Sequence, residues 1–269
     1  MRPLFAEFLK YCRVYALFAS NCFMAQIEYR SNFLIVICME LAWLIGRILI
    51  LVVMYETNIS INGISPDGVL LYLGTFSIMI GIFNIFFLPN FYSISGHIRN
   101  GSLDVLMTKP ISLQFLLTLR TLEFIIPLPT IVVGAIMVIL SWSRLHVPFS
   151  LENIFGYMFY MGVGSMACYV VFLLPQLLAF WLVKIDVILI SETMWEFNSM
   201  PMNIYNKWIQ RFGFYVIPVL GITNLPVLYI LKKLTFYSAI LPIIVLVTLF
   251  IFQRFIWKFA IKNYSGASS

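Results

Sequence analysis

Five ionisable side chains occur inside the long apolar stretches of this 269-residue sequence: Glu40, Arg47, Glu123, Glu192 and Glu196. Placing such a group in the hydrocarbon core of a bilayer costs about 2.5–3.5 kcal/mol, so residues of this kind usually serve a function. Four carboxylates against one guanidinium give these stretches an anionic bias. The bias predicts a pathway for a cationic or amphipathic substrate.

Glu192 and Glu196 are four residues apart, so both lie on one face of a predicted helix, and Trp195 lies beside them. An indole ring at this position could stack on a cation. Glu40 and Arg47 are seven residues apart and also share a face, and each could pair with a group on another helix. The alternative is a structural role, in which Glu192 and Glu196 form hydrogen bonds within the helix bundle or at a dimer seam.

The sequence contains few other groups of residues that could bind a metal or catalyse a reaction. His97 and His146 are 49 positions apart, and none of the four cysteines belongs to a C-x-x-C pair. We therefore predict no metal site and no catalytic residue. An integral membrane enzyme acting on lipids is an alternative, but it would need further acid, base or metal groups beside Glu192 and Glu196 at one membrane depth.

The composition sets the class of protein. Hydrophobic residues make up 62% of the chain and charged residues only 10%, against about 25% charged residues in ordinary soluble domains. Too few charged side chains are available to cover the surface of a soluble enzyme, and the basic residues are too dispersed for a nucleic-acid interface. The chain is expected to be an all-α, polytopic membrane protein of a single domain, residues 1–269, with no nucleic-acid partner.

Runs of about 20 mostly apolar residues mark the helices that cross the bilayer. We predict six of them, over residues 32–55, 69–89, 122–142, 154–183, 187–205 and 235–257. With six spans, eleven Lys and Arg residues fall on one side of the membrane and five on the other. The excess of positive charge predicts that both termini are cytoplasmic in a multi-pass protein of the cell membrane.

Two further segments are apolar without being predicted spans. Residues 1–30 have an apolar face opposite Glu7, Lys10 and Arg13, which predicts an amphipathic helix in the membrane interface; the alternative is a cleaved signal peptide. Residues 207–233 are interrupted by several glycines and prolines. They predict an external re-entrant hairpin, with a seventh complete span as the alternative.

Residues 93–120 form the largest polar interruption within the body of the chain. A broken apolar face in this segment predicts a short lateral helix that docks into a groove on a cytoplasmic partner. Gly96 and Gly101 permit sharp turns, and Pro110 prevents a helix from running directly into the third span. The alternative is an interfacial loop.

The sequence in this region resembles a known family. Residues 98–112, with Leu-Asp-Val-Leu followed by Lys-Pro-Ile-Ser, are similar to the segment after the second span in the membrane subunits of type 2 ABC transporters. Residues 196–205, 215–226 and 264–269 resemble further motifs of a small bacterial branch of these permeases, in the same order. The resemblance covers essentially the whole chain.

The resemblance implies an interfacial N-terminal helix, six spans, a coupling helix after the second span and a re-entrant hairpin before the sixth. It also implies an exporter driven by two separate ATPase subunits, which would bind ATP and Mg²⁺, and a second permease that is either identical or a sister chain. The present sequence contains no Gly-x-x-x-x-Gly-Lys-Ser/Thr motif of its own. The substrate would be a small amphipathic, cationic or lipid-like molecule, and a membrane assembly factor is the remaining alternative. The residues that would contact the ATPase are Gly96, His97, Ile98, Arg99, Asn100, Gly101, Ser102, Leu103 and Asp104.

Overall fold

The computed structural model describes residues 2–28, 31–57, 60, 63–182 and 188–264. Among these residues the fold is all-helical, with twelve α-helices and no strand. The helices are α1 (Arg2–Glu28), α2 (Ser31–Thr57), α3 (Pro66–Phe86), α4 (Leu88–Arg99), α5 (Ser102–Met107), α6 (Leu113–Leu119), α7 (Leu128–Arg144), α8 (Leu151–Gln176), α9 (Ile188–Glu196), α10 (Lys207–Tyr215), α11 (Gly221–Ile230) and α12 (Phe236–Lys262).

Three stretches of the described residues are long and apolar enough to cross a membrane: Pro66–Arg99, Leu151–Phe180 and Phe236–Lys262. The first combines α3 and α4, and the second continues α8 into a 3-10 turn. Helices α7 and α11 are shorter and apolar. Helix α2 has 27 residues, but many of its side chains lie outside the described part of the chain. The number of six spans therefore stays a prediction.

Polar side chains define where several helices begin. Ser65 and Ser150 each accept a hydrogen bond from a backbone N–H in the first turn of α3 and α8, at 3.3 Å in both cases. Asn206 does the same for α10 at 2.9 Å. Thr235 and Ser238 form a reciprocal capping box at the start of α12. These caps satisfy N–H groups that a helix leaves unpaired at its N-terminus.

The most extensive contact between two helices of the described residues joins α3 and α7. A Cβ atom on Gly74 would lie 2.8 Å from the carbonyl oxygen of Gly134, and one on Gly134 would lie equally close to the carbonyl of Gly74. Gly81 is similarly close to Ile131. The backbones approach closely because small residues face each other, which is how apolar helices gain packing contacts where lipid is the alternative neighbour.

Glycines also bring α8 close to the buried helix α11. Gly156 of α8 faces the ring of Tyr229, and Gly164 faces the backbone carbonyl of Ile222. A Cβ atom on Gly162, in contrast, would have no neighbouring atom within 4 Å, so this glycine takes no part in the contact. Small residues at helical spacing therefore serve packing within the chain at Gly74, Gly81, Gly156 and Gly164.

Two predicted spans differ from the helices found at the same place. The third was predicted from residue 122, but α7 begins at Leu128, because Pro127 and Pro129 occupy positions that favour a helix start. The fifth was predicted over 187–205, where the structure has the nine-residue helix α9, Ile188–Glu196, followed by turns. Pro201 has no N–H to continue a helix through this stretch.

Residues 207–233 form two short helices rather than one long one. Helix α10 and helix α11 have nine and ten residues, fewer than the roughly 20 needed to cross a bilayer, and a turn over 216–220 joins them. The N–H of Leu220 donates to the carbonyl of Gly213 at 2.8 Å and closes the turn. The structure thus has two short helices joined by a turn here, and the re-entrant hairpin in the membrane stays a prediction.

Candidate functional site

The polar segment 93–120 is a compact chain of short helices. It starts in the last turns of α4, turns at Gly101, continues through α5 and ends with α6. Gly101 has a φ of 68°, a left-handed conformation that suits glycine, whereas Gly96 lies inside α4 and forms no turn. Across the turn, Nδ1 of His97 lies 2.7 Å from Oγ of Ser102, and this contact fixes the angle between α4 and α5.

One face of this segment is anchored in the core. Ile94, Ile98, Leu103 and Leu106 are buried and belong to the main hydrophobic cluster of the chain. The apolar positions that predicted a docking helix therefore hold the segment on its own protein. Any partner must contact the opposite face.

The opposite face is basic and partly apolar. Arg99 and Asn100 are exposed. Val105, Met107 and Lys109 are exposed as well, and they follow residue 104, where the predicted ATPase contact ends. Val105 has 62% of its surface exposed although it is an apolar residue. Asp104 is half-buried in the first turn of α5. We call the exposed set of Arg99, Asn100, Val105, Met107 and Lys109 the outer face.

Helix α1 is attached to the end of this segment. The ammonium group of Lys10 donates to the carbonyl of Pro110 at 2.8 Å, and the hydroxyl of Tyr11 accepts from the N–H of Ser112 at 3.1 Å. The ring of Tyr11 packs edge-on against Phe115, with 4.9 Å between ring centroids. The amphipathic helix predicted over residues 1–30 is present as α1, Arg2–Glu28, and its place in the membrane interface stays a prediction.

A second set of contacts from α1 holds the non-helical stretch that precedes α7. The amide of Gln26 donates to the carbonyl of Leu122 at 2.6 Å and accepts from the N–H of Phe124 at 2.9 Å. Residues 121–125 cannot form helical hydrogen bonds with one another in this conformation. The side chain of Gln26 supplies the partners that the backbone lacks.

A polar network connects the segment to two long helices. Arg254 of α12 donates to the side-chain oxygen of Gln114, whose amide nitrogen donates to the hydroxyl of Tyr169 of α8 at 2.7 Å. Thr118 lies against the same hydroxyl and donates to the carbonyl of Gln114 at 2.7 Å. Sequence reasoning missed this network, because Gln114 and Arg254 are 140 positions apart.

The structure separates the three predicted pathway residues of α9. Glu192 and Glu196 are exposed on the single chain, and the hydroxyl of Tyr92 donates to Oε1 of Glu192. Trp195 is only 7% exposed. Its ring stacks on Phe172 at a centroid distance of 5.0 Å and meets Phe83 at 5.2 Å. In this structure Trp195 is a core residue that fixes α9, whereas the two glutamates of the same helix are exposed.

The remaining ionisable residues of the apolar stretches are less informative. Glu40 and Arg47 belong to α2, but their side chains lie outside the described part of the chain. Glu123 is half-buried in the non-helical stretch before α7, where its N–H donates to the carbonyl of Ile85 at 3.1 Å. Within the described residues no group of three or more His, Cys, Asp or Glu side chains could hold a metal ion.

A buried polar cluster next to α9 was not expected from the sequence. The hydroxyl of Tyr72 donates to the carbonyl of Asn198 at 2.9 Å and lies 2.8 Å from Oγ1 of Thr223. Thr223 donates to Oδ1 of Asn198 at 3.0 Å, and Asn224 accepts from the N–H of Met202. These contacts hold the turns after α9 against α3 and α11. Local sequence patterns do not predict them, because the partners are far apart in the sequence.

Comparison with known families identifies a match over most of the chain. The family described as ABC-2 family transporter protein matches residues 41–268 of the chain. Comparison with curated proteins and with solved structures finds no match. The matched range contains the whole polar segment 93–120 and leaves out α1 and the first part of α2.

Proposed function

This chain belongs to the ABC-2 family of transporter proteins, and from that premise we propose that it is the permease subunit of an ATP-binding-cassette exporter. The observation that carries the proposal is the family match over residues 41–268. A permease of this kind has no ATPase site of its own, and ATP and Mg²⁺ bind to a separate subunit.

The polar segment 93–120 is the proposed contact with the ATPase. Its inner face is fixed in the core, so a push on the outer face moves the segment as a body instead of deforming it. Arg254, Gln114 and Tyr169 connect the end of the segment to α8 and α12. This network supports a route by which the motion of the segment reaches α8 and α12.

The complete transporter contains more than this chain. We propose two ATPase subunits and a second permease, identical or a sister chain, because six spans are too few to enclose a pathway with two sides. Both termini and the polar segment face the cytoplasm, and transport is directed outward across the cell membrane. The positive residues of the segment, Arg99, Lys109 and Arg120, agree with this orientation.

The proposed substrate is a small amphipathic molecule, cationic or lipid-like. Glu192 and Glu196 present two carboxylates on one helix, and both are exposed on the single chain. Glu40 and Arg47 of α2 are proposed to line the same pathway. Trp195 contributes by holding α9 in place through its contacts with Phe172 and Phe83.

Charge reversal on the outer face tests the ATPase contact. We expect Arg99→Glu together with Val105→Asp to reduce co-purification of the ATPase and substrate-stimulated ATP turnover by about tenfold or more, because an exposed basic and apolar contact becomes acidic. The matched control is Arg211→Glu, an exposed arginine of α10 on the side of the membrane predicted to be external. Equal losses in both variants, or an ATPase that never co-purifies with the unaltered chain, would contradict the proposal.

A conservative substitution tests the substrate class. Glu192→Gln removes one charge and keeps the shape, so we expect it to slow export of a cationic amphipath more than export of a neutral one of similar size. The control is Glu152→Gln at an exposed position in the first turn of α8. Equal slowing of both substrates would exclude a role of this carboxylate in charge recognition.

A further inference from the structure

A cavity of about 480 Å³ lies between α1, α4 and α6. Its residues come from one face of α1, one face of α4 and the end of α6. It opens to the surface where Asn21, Ala25 and Arg120 are exposed, and it is closed inside by the buried residues Asn90 and Leu116. Ser93, His97, Leu116 and Arg120 of the polar segment line the cavity together with residues of α1. No described lining residue belongs to the outer face or to the proposed pathway.

The lining has two kinds of surface. Phe18, Ala25 and Leu116 are apolar, whereas Asn21, His97 and Arg120 are polar or basic. No described residue of the lining carries a carboxylate. Among the described residues, the Arg120 guanidinium has no ion-pair partner and the Asn21 amide has no hydrogen-bond partner. The site therefore offers hydrogen-bond donors and a positive charge next to an apolar surface.

The other polar groups of the lining are already fixed. Asn90 donates to the carbonyls of Phe86 and Thr121 and accepts from the N–H of Thr121 at 2.8 Å. Nδ1 of His97 is engaged by Ser102, so Nε2 is the ring nitrogen left for a ligand. The walls are thus held in place without any occupant, which reduces the cost of ordering them on binding.

The charge balance of the site favours an anion. Arg120 and His97 line the same cavity, and the guanidinium of Arg120 is positively charged at any pH near neutrality. An anion in the cavity would form a charge-assisted hydrogen bond with this guanidinium.

We propose that this cavity binds the phosphate group of an anionic phospholipid from the cytoplasmic leaflet. The phosphate contacts Arg120, Asn21 and Nε2 of His97, and the start of an acyl chain follows Phe18 and Ala25. Basic pockets at the cytoplasmic face are suited to such headgroups. The bound lipid joins α1 to α4 and α6 and stabilises the attachment of α1 to the polar segment. The site rests on the cytoplasmic placement in the proposed function, but it requires neither an ATPase nor transport.

The experiment measures lipids retained by the purified full-length chain, by native mass spectrometry and by titration in detergent without ATPase. Phosphatidylglycerol and phosphatidylcholine are compared as lipids, and inorganic phosphate at millimolar concentration is added as a soluble competitor. We expect phosphatidylglycerol to bind more tightly than phosphatidylcholine. Arg120→Gln should weaken that binding about tenfold, and the control Arg13→Gln, an exposed arginine of α1 outside the lining, should leave it unchanged.

A second variant tests the cavity without changing its charge. Ala25→Trp places a large ring at the mouth, and the preference for phosphatidylglycerol should then be lost. If inorganic phosphate binds in a manner that depends on Arg120 while phosphatidylglycerol is not retained, the ligand is a soluble phosphate and the lipid proposal is overturned. The proposal is overturned if Arg120→Gln and Arg13→Gln act equally, if Ala25→Trp retains the preference, or if the two lipids bind alike. These lipid-binding measurements need no ATPase and no transport, so their outcome does not depend on whether the chain is a transporter.

Discussion

Two long stretches of the chain are similarly apolar but differ in their surroundings. One is Pro66–Arg99, which contains α3 and α4, and the other is α12. Their most apolar sections have mean hydropathies of 2.0 and 2.3, yet 72% of the first is buried inside the chain and only 17% of the second. Helix α3 has glycines at the contacts with its neighbours, whereas Phe236–Lys262 contains none. Hydropathy shows that a helix can enter a bilayer, and small residues decide whether protein surrounds it there.

The largest expected effect comes from an aromatic residue on each helix. Phe83 of α3 packs on Phe172 with 4.8 Å between centroids, whereas Phe255 of α12 is 68% exposed. We expect Phe83→Ala to lower the free energy of unfolding by about 3–5 kcal/mol, because it leaves a cavity in a close-packed cluster. Phe255→Ala should have little effect. Unfolding of the purified chain in mixed micelles measures both, and an equal loss would show that another copy covers α12.

An intermediate effect is expected where a methyl group is added to each of two glycines. Gly74→Ala places its Cβ against the carbonyl of Gly134, a backbone atom that cannot move aside, and should cost about 1–3 kcal/mol of unfolding free energy. Gly162→Ala adds the same methyl group where no atom is near, and should be neutral or slightly stabilising, since alanine favours helix. Thermal unfolding in nanodiscs compares them. A neutral Gly74→Ala would mean that the α3–α7 contact is looser than described.

The smallest effect concerns a single hydroxyl. Tyr72→Phe removes the donor to the carbonyl of Asn198 and should lower the free energy of unfolding by about 0.5–1.5 kcal/mol. Thr223 keeps its hydrogen bond with Asn198, so the cluster is weakened and not abolished. Tyr237→Phe on the exposed surface of α12 is the control. The same unfolding assay applies, and a larger loss at Tyr237 would reverse the comparison between the two helices.

Much of the fold follows from local properties of the sequence. The helical content, the apolar stretches and the turn at Gly101 were predicted because hydropathy and glycine conformation are encoded within a few residues. The predicted start of α7 is too early, because the hydropathy is continuous from residue 122 whereas Pro127 and Pro129 favour a helix start at Leu128. The short helix α9 was missed for a similar reason, since Pro201 interrupts a stretch that is otherwise apolar.

The sequence predicts which segment forms the candidate site, but not which residues of that segment are buried and which are exposed. Residues 93–120 stand out by composition, whereas the burial of Ile98 and Leu103 depends on helices far away in the chain. The same holds for Trp195, whose ring contacts on α3 and α8 join positions that are far apart in the sequence. Contacts between distant positions leave no local pattern.

The contacts of Gln26 have a consequence for biosynthesis. Its hydrogen-bond partners lie 96 to 99 positions later in the sequence, and those of Lys10 and Tyr11 lie 100 and 101 positions later. During translation α1 therefore leaves the ribosome long before the segment that holds it exists. Docking of α1 is a late step of folding, because its contacts form only after a segment about 100 residues further along the chain has been made.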